Sequence, residues 1–432
     1  MTESKPARPA ELSDIADPPV SVDGDPRPPI KGMRRLMVWN VPANFVVFML
    51  WGAIPTVMLP QQLQLMNPDE KVRNFGLVST IGAIGALIAQ PVAGVISDRT
   101  RSRFGRRAPW MVIGALAGGL ALIGLALANS LWGIALAWVC TQIAYNFAQG
   151  PLSAILPDRV PDKRRGTFST LTGTGLLLGN VGGYVIGASF LNNLAAGYVI
   201  FAVVTLVVLV FFNLTNPDYP SGDLELPPFK LGEYLKTFWV SPRRHPDFTW
   251  AFLGRLLLYI GYYVVTTYQL YLLTGYLGVA DADKDKYIMI LSVIMAVGLL
   301  ITITPSGPWS DRLGRRKPFV FASSMTLGLA MVLPWIWPNI YAYMVMTFIG
   351  AMGFGMYQAV DTALMSEVLP NPDDYAKDLG VINIAATFPQ IIAPAVASFL
   401  VLNVGGYATL FPCGILFCVL GAVSVFMIKS VK

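Results

Sequence analysis

Apolar and polar positions segregate along this chain on a long scale. Twelve mostly apolar runs, roughly 36–59, 74–96, 108–128, 131–156, 167–191, 195–214, 248–277, 286–308, 318–336, 339–368, 379–402 and 405–428, are separated by segments that hold nearly all of the charge. A helix needs about 20 residues to cross a hydrocarbon layer. Helices satisfy their backbone polar groups internally, and lipid tolerates Gly and Pro inside them, so the runs predict spanning helices. Only 13% of the 432 residues are charged and 54% are hydrophobic, where a soluble domain carries about 25% charged residues. Too little polar surface remains to coat a globule in water. The pattern predicts an all-α polytopic membrane protein with twelve transmembrane helices, and its first partner is the lipid bilayer.

Charge then orients the runs. Of the 31 Lys and Arg residues, 26 fall on the side of the N-terminus, four (Lys71, Arg73, Lys284, Lys286) on the other, and Arg255 inside a run. The positive-inside rule predicts that both termini are cytoplasmic, and the cell (inner) membrane is the expected location. It also accounts for the net charge of +6 without invoking nucleic acid. The expected organisation is a disordered cytoplasmic tail (1–35), a six-helix bundle (36–214), a proline-rich cytoplasmic linker (215–247), a second six-helix bundle (248–428) and a short C-terminus (429–432). Within the linker, Leu231–Val240 fits an interfacial helix or a solvated loop equally well. Cys140, Cys413 and Cys418 lie in apolar runs and the single His245 in a loop, so no metal site or disulfide framework is expected. Nucleotide-binding motifs and nucleophile–base constellations do not occur. An enzyme and a bound cofactor are therefore not expected, and a proton or sodium gradient is the expected energy source. The protein is expected to be a monomer.

A shift of 209 residues superposes the halves. Gly105, Arg106, Arg107 and Pro109 fall on Gly314, Arg315, Arg316 and Pro318, Gln149 on Gln358, Ala154 on Ala363, and Asp158 on Glu367. Such duplication is the mark of a transporter built from two repeats, with the solute bound between them near the midplane. The charged segments after the second and eighth runs, with Asp98, Arg99, Gly105, Arg106 and Arg107 in one and Asp311, Arg312, Gly314, Arg315 and Arg316 in the other, suggest a cytoplasmic gate, the bland alternative being that the arginines only set topology. Glycine permits close approach, and Asp and Arg at helix ends can pair with neighbouring carboxylates. Asp158 and Glu367, closing the fourth and tenth runs on the same side, are the natural partners.

These paired loops resemble the signature loop of the major facilitator superfamily, and the resemblance extends over residues 36–428. Ser97–Pro109, Gln149-Gly150-Pro151 with Asp158, and Gly179-Asn180-Val181 with Gly183-Tyr184 are similar more narrowly to plant sucrose carriers and glycoside–pentoside–cation symporters. That likeness covers about 90 residues of the first half. It implies sugar–proton symport and a coupling role for the carboxylate at Asp158, which equally fits the gate. Gly175, Gly179, Gly182 and Gly183 are similar to the glycine-rich motif of drug antiporters, with Asn180 in place of its proline; close helix packing also explains them.

In the fold this resemblance implies, helices 1, 4, 7 and 10 line a central cavity. The substrate-binding candidates there are Asn40, Asn44 and Trp51 in the first run, and Gln142, Tyr145, Asn146 and Gln149 in the fourth. Tyr259, Tyr262 and Gln269 follow in the seventh, Tyr357 and Gln358 in the tenth, and Asn383 and Gln390 in the eleventh. Sugars are held by amides, hydroxyls and flat aromatic faces, and this set has all three. Tyr271 and Tyr341 read as membrane-interface anchors. Arg255 and Asp361 are charges inside apolar runs, where a functional role is the default reading. They are expected to face each other across the cavity and to couple protons; a static ion pair is the bland alternative. The function expected is secondary active transport of a small polar solute, a sugar or glycoside, by proton-coupled alternating access. The alternatives are drug–proton antiport and, in a different class, a non-transporting membrane sensor.

Overall fold

The computed structural model describes residues 32–222, 242–368 and 375–429. Most of the N-terminal tail and the Leu231–Val240 segment lie outside these residues. The first half comprises α1 (Met33–Met66), α2 (Lys71–Arg99), α3 (Ala108–Leu127), α4 (Leu131–Arg159), α5 (Asp162–Ser189) and α6 (Leu194–Thr215). The second comprises α7 (Pro246–Thr266, continued by Gln269–Gly275), α8 (Lys284–Leu313), α9 (Lys317–Ile336), α10 (Ile340–Glu367), α11 (Tyr375–Leu400) and α12 (Leu410–Ser424).

Among the described residues, ten stretches are long and apolar enough to cross a membrane. The stretch Ile384–Met427 has 44 residues, about 66 Å if straight and twice a hydrocarbon layer. It reverses at Gly405–Gly406, with Gly406 at φ 72°, and so supplies both α11 and α12. The twelfth crossing is α5, which is too rich in Thr and Gly to register as apolar.

That composition has a packing cause. Gly175, Gly179, Gly183 and Gly187 recur every four residues along α5 and face α1. A Cβ at Gly175 or Gly179 would stand 2.7 or 2.5 Å from the carbonyl oxygens of Val41 and Phe45, and one at Gly187 would meet Ala53. The two backbones run in contact, and the glycines once compared with an antiporter motif are the packing surface. In α1, Pro55 begins a π-turn over Ile54–Met58, where the missing proline N–H relaxes the hydrogen-bond ladder.

The repeat is visible in the packing. In the first half α1 lies against α5, α4 against α2 and α3, and α6 against α3; in the second α7 lies against α11, α10 against α8 and α9, and α12 against α9. The halves meet along α2 with α11 and α5 with α8, which are mates under the 209-residue shift.

Candidate functional site

The two intramembrane charges form one pair. Arg255 Nη1 lies 3.1 Å from Asp361 Oδ2, and both side chains are buried. Taking charge into an apolar bundle is costly unless it is compensated, and here the compensation is direct. Aromatic rings surround the pair. The Arg255 guanidinium sits 5.7 Å from the Tyr259 ring centre, Tyr357 adjoins the Asp361 carboxylate, and the Tyr259 hydroxyl donates to Gln358 Oε1 at 3.3 Å. Tyr262 stacks on Phe354 with ring centres 4.4 Å apart. Sequence reasoning expected the charges to face each other across the cavity. They do face each other, in direct contact, and because α7 and α10 belong to the same half, movement of one half against the other would not by itself part them.

The first half contributes Trp51, whose indole N–H donates to Gln149 Oε1 at 2.8 Å, and the half-buried Gln142. Asn40 donates to Thr172 Oγ1 at 2.7 Å, and Asn44 donates to Asn40 Oδ1 at 2.9 Å. Both asparagines are buried; Asn40 ties α1 to α5, and Asn44 braces it from within α1. Asn146 turns back onto the Gln142 carbonyl. Tyr145 is a correction: it is fully buried with its ring against Gly118, so it faces α3 and not the other half. Gln269 is half-buried, and Gln390 is exposed with its amide on the Ala386 carbonyl. The side chains of Asn383 and Glu367 lie outside the described residues. Two residues were missed. Thr56, in the π-turn of α1, bonds to Tyr184 of α5, which lies beside Tyr262, Tyr263 and Tyr343 of the second half. Tyr184 was visible only through the Gly183-Tyr184 resemblance, and Thr56 only through the adjoining Pro55.

The halves are closed together at the end away from the chain termini. Phe75 of α2 is fully buried between Tyr268 and Tyr271, with ring centres 5.2 and 5.6 Å away. The Tyr268 hydroxyl is 3.1 Å from the Val72 carbonyl and 3.3 Å from that of Pro394, the Tyr271 hydroxyl donates to Pro60 at 2.8 Å, and Ser398 reaches Val72 at 3.3 Å. Tyr271 is thus no interface anchor but part of a plug, whereas Tyr341 is exposed.

The signature loops sit at the opposite, terminal end. Arg107 is buried and is the hub of the first: its guanidinium lies 2.5 Å from Asp98 and 2.8 Å from Asp158, and it donates to Ser97 Oγ at 2.7 Å. Arg106 reaches Asp158 at 2.7 Å. Asp158 is thus held by two arginines, at the end of α4. Arg99 is half-buried beside them. In the second loop Arg316 pairs with Asp311 at 3.1 Å, Gly314 ends α8 at φ 59°, and Arg312 and Arg315 are exposed.

Comparison with known proteins gives a consistent picture. The family model of the Major Facilitator Superfamily matches residues 40–280 and 251–431. A proton-associated sugar transporter A of Rattus norvegicus is 34% identical over 189 residues, 37% of this chain and 24% of that protein. A sucrose transport protein of Arabidopsis thaliana is 33% identical over 156 residues, 29% of each chain. The alignments thus span less than a third of these relatives' length. Among solved structures, a nucleoside transporter, NupG, superposes with a TM-score of 0.70 at 16% identity, covering 90% of this chain and 97% of that one. A D-xylose–proton symporter superposes with a TM-score of 0.69 at 14% identity, covering 92% and 98%.

Proposed function

This chain belongs to the Major Facilitator Superfamily, and from that premise we propose that it is a secondary active transporter carrying a sugar or glycoside together with a proton. The observation that carries the proposal is the buried Arg255–Asp361 pair set among tyrosines. An apolar bundle has no structural need of a charge pair, since well-packed apolar residues would be at least as stable there. A carboxyl group whose charge depends on one arginine is suited to taking up and giving back a proton. The surrounding hydroxyls, amides and ring faces suit a polyol better than an apolar drug. The names of the partial sequence relatives point the same way.

In this reading the terminal face is cytoplasmic and the structure is closed on the outside. The halves rock about the central site, and opening outward requires the Phe75–Tyr268–Tyr271 plug to part while the terminal-side loops close. One helix links plug to pair. The first piece of α7 carries Arg255 and Tyr259, the second carries Tyr271, and the break at residues 267–268 includes Tyr268. Parting the plug bends α7 at that break, which moves Arg255 relative to Asp361 without dismantling the half. Asp361 takes a proton when Arg255 withdraws and releases it when the pair re-forms. Uptake of labelled mono- and disaccharides into proteoliposomes under an imposed pH gradient tests the proposal. Accumulation that collapses with a protonophore is expected, and absence of gradient-driven uptake for every sugar would overturn it.

A further inference from the structure

The two copies of the signature loop differ in length. Asp98 and Gly105 are seven positions apart, Asp311 and Gly314 three. The four extra positions add backbone N–H and C=O groups that need partners. The chain just beyond α6 supplies them. Ser221 donates its N–H to the Ser102 carbonyl at 3.1 Å, accepts from the Ser102 N–H at 3.1 Å, and donates its hydroxyl to the Thr100 carbonyl at 3.0 Å. Asp218 Oδ2 accepts from the Arg107 N–H at 3.1 Å, at the point where α3 begins. Behind them Arg159, at the end of α4, donates to the carbonyls of Asn216 and Pro217 at 3.2 Å each. Ser221 and Asn216 are buried although they belong to a connecting segment.

Gly105 fits the same arrangement. Its φ is 87°, and a Cβ there would stand 2.5 Å from Asp218 Oδ2. A glycine expected to serve helix approach therefore also makes room for a carboxylate outside the motif. The segment after α12 is arranged differently: the Lys429 N–H donates to Asp247 at 3.0 Å, and Lys317 donates to the Ile428 carbonyl.

We propose that residues 217–222 form a strap that sets the first-half gate, with Asp218 and Ser221 as positioning residues that hold Arg107 where it joins Asp98 to Asp158. The residues of the first signature loop that Asp218 and Ser221 bond, Thr100, Ser102 and Arg107, all lie in the first half, so the strap rides with that half and stays docked throughout the transport cycle. The tether between the halves then starts beyond residue 222, not at the end of α6. The effect on transport rests on the function proposed above; the docking itself does not.

The test uses the full chain with its three cysteines replaced by serine. Ser102→Cys with Ser221→Cys should cross-link nearly completely in membranes under mild oxidation and leave transport within two-fold of the reduced protein. Failure to cross-link, or a block of transport that reductant relieves, would overturn a permanently docked strap. Hydrogen exchange over residues 102–110 should be about ten-fold faster in Asp218→Ala, with Asp218→Asn close to wild type because it keeps an acceptor. Equal exchange in wild type and Asp218→Ala would overturn the positioning role. If the wild type carries sugar, Asp218→Ala should lower the maximal rate three- to ten-fold at unchanged KM. If it carries none, the function proposed above fails, while cross-linking and exchange still decide the strap.

Discussion

Replacing Tyr268 and Tyr271 by Phe keeps the rings around Phe75 and removes only the hydroxyls that bond across the closed end. Tyr268 loses its contact to Val72 of the other half and one to Pro394 within its own, and Tyr271 loses its bond to Pro60 of the other half. Each hydroxyl contributes a net ~1 kcal/mol, so the pair shifts the closed-to-open ratio by about 2 kcal/mol, roughly 30-fold. Gly76→Ala acts at the same place sterically, because its Cβ would stand 2.6 Å from Ser398 Cβ and 3.0 Å from the Tyr268 hydroxyl. Thr80, one turn deeper in α2 and 3.5 Å from the Ile391 carbonyl of α11, is a reporter shielded by the plug. In a cysteine-free chain carrying Thr80→Cys, an impermeant maleimide added from outside should label about five-fold faster with either Phe substitution and about 30-fold faster with both. Gly76→Ala should likewise raise labelling and lower transport by holding the outer end open. Unchanged labelling in the double Phe variant would show that these contacts do not close the pathway.

Lys286→Cys should label in intact cells and Arg103→Cys should be protected; the reverse pattern would invert the proposed topology. Asp98→Ala and Asp311→Ala should each lower transport several-fold with normal protein levels, and wild-type rates in both would reduce the loops to topology signals. Arg255→Ala strands a buried carboxylate and should destabilise the protein by roughly 3–5 kcal/mol, read as a lowered Tm in detergent. A Tm equal to wild type would mean that Asp361 does not depend on that partner.

Long-period hydrophobicity made the twelve crossings legible in the sequence, including α5, whose glycines and threonines place it below an apolar threshold. The charge cluster at the terminal end was legible because Arg106, Arg107 and Asp158 are charges with duplicated counterparts. Arg255 and Asp361 stood out because a charge in an apolar run is rare. What periodicity could not give was direction around each helix. Tyr145 shares the fourth run with Gln149 yet turns toward α3, and Asn40 bonds within the first half because α5 comes close enough to offer Thr172, with Asn44 bonded to Asn40 in turn. Tyr268 and Tyr271 look like interface tyrosines until α2 is seen to place Phe75 between them. The strap was hidden for another reason: Asp218 and Ser221 are ordinary linker residues, and only tertiary contact reveals what the lengthened loop requires.

The central claim is that Asp361, paired with Arg255, couples solute movement to protons. The most direct measurement compares wild type and Asp361→Asn in proteoliposomes loaded with labelled sugar, following exchange at equal pH and net accumulation under an inward proton gradient. The account predicts that the variant exchanges sugar at a measurable rate but accumulates none, while wild type does both. Gradient-driven accumulation by Asp361→Asn at the wild-type level would contradict it.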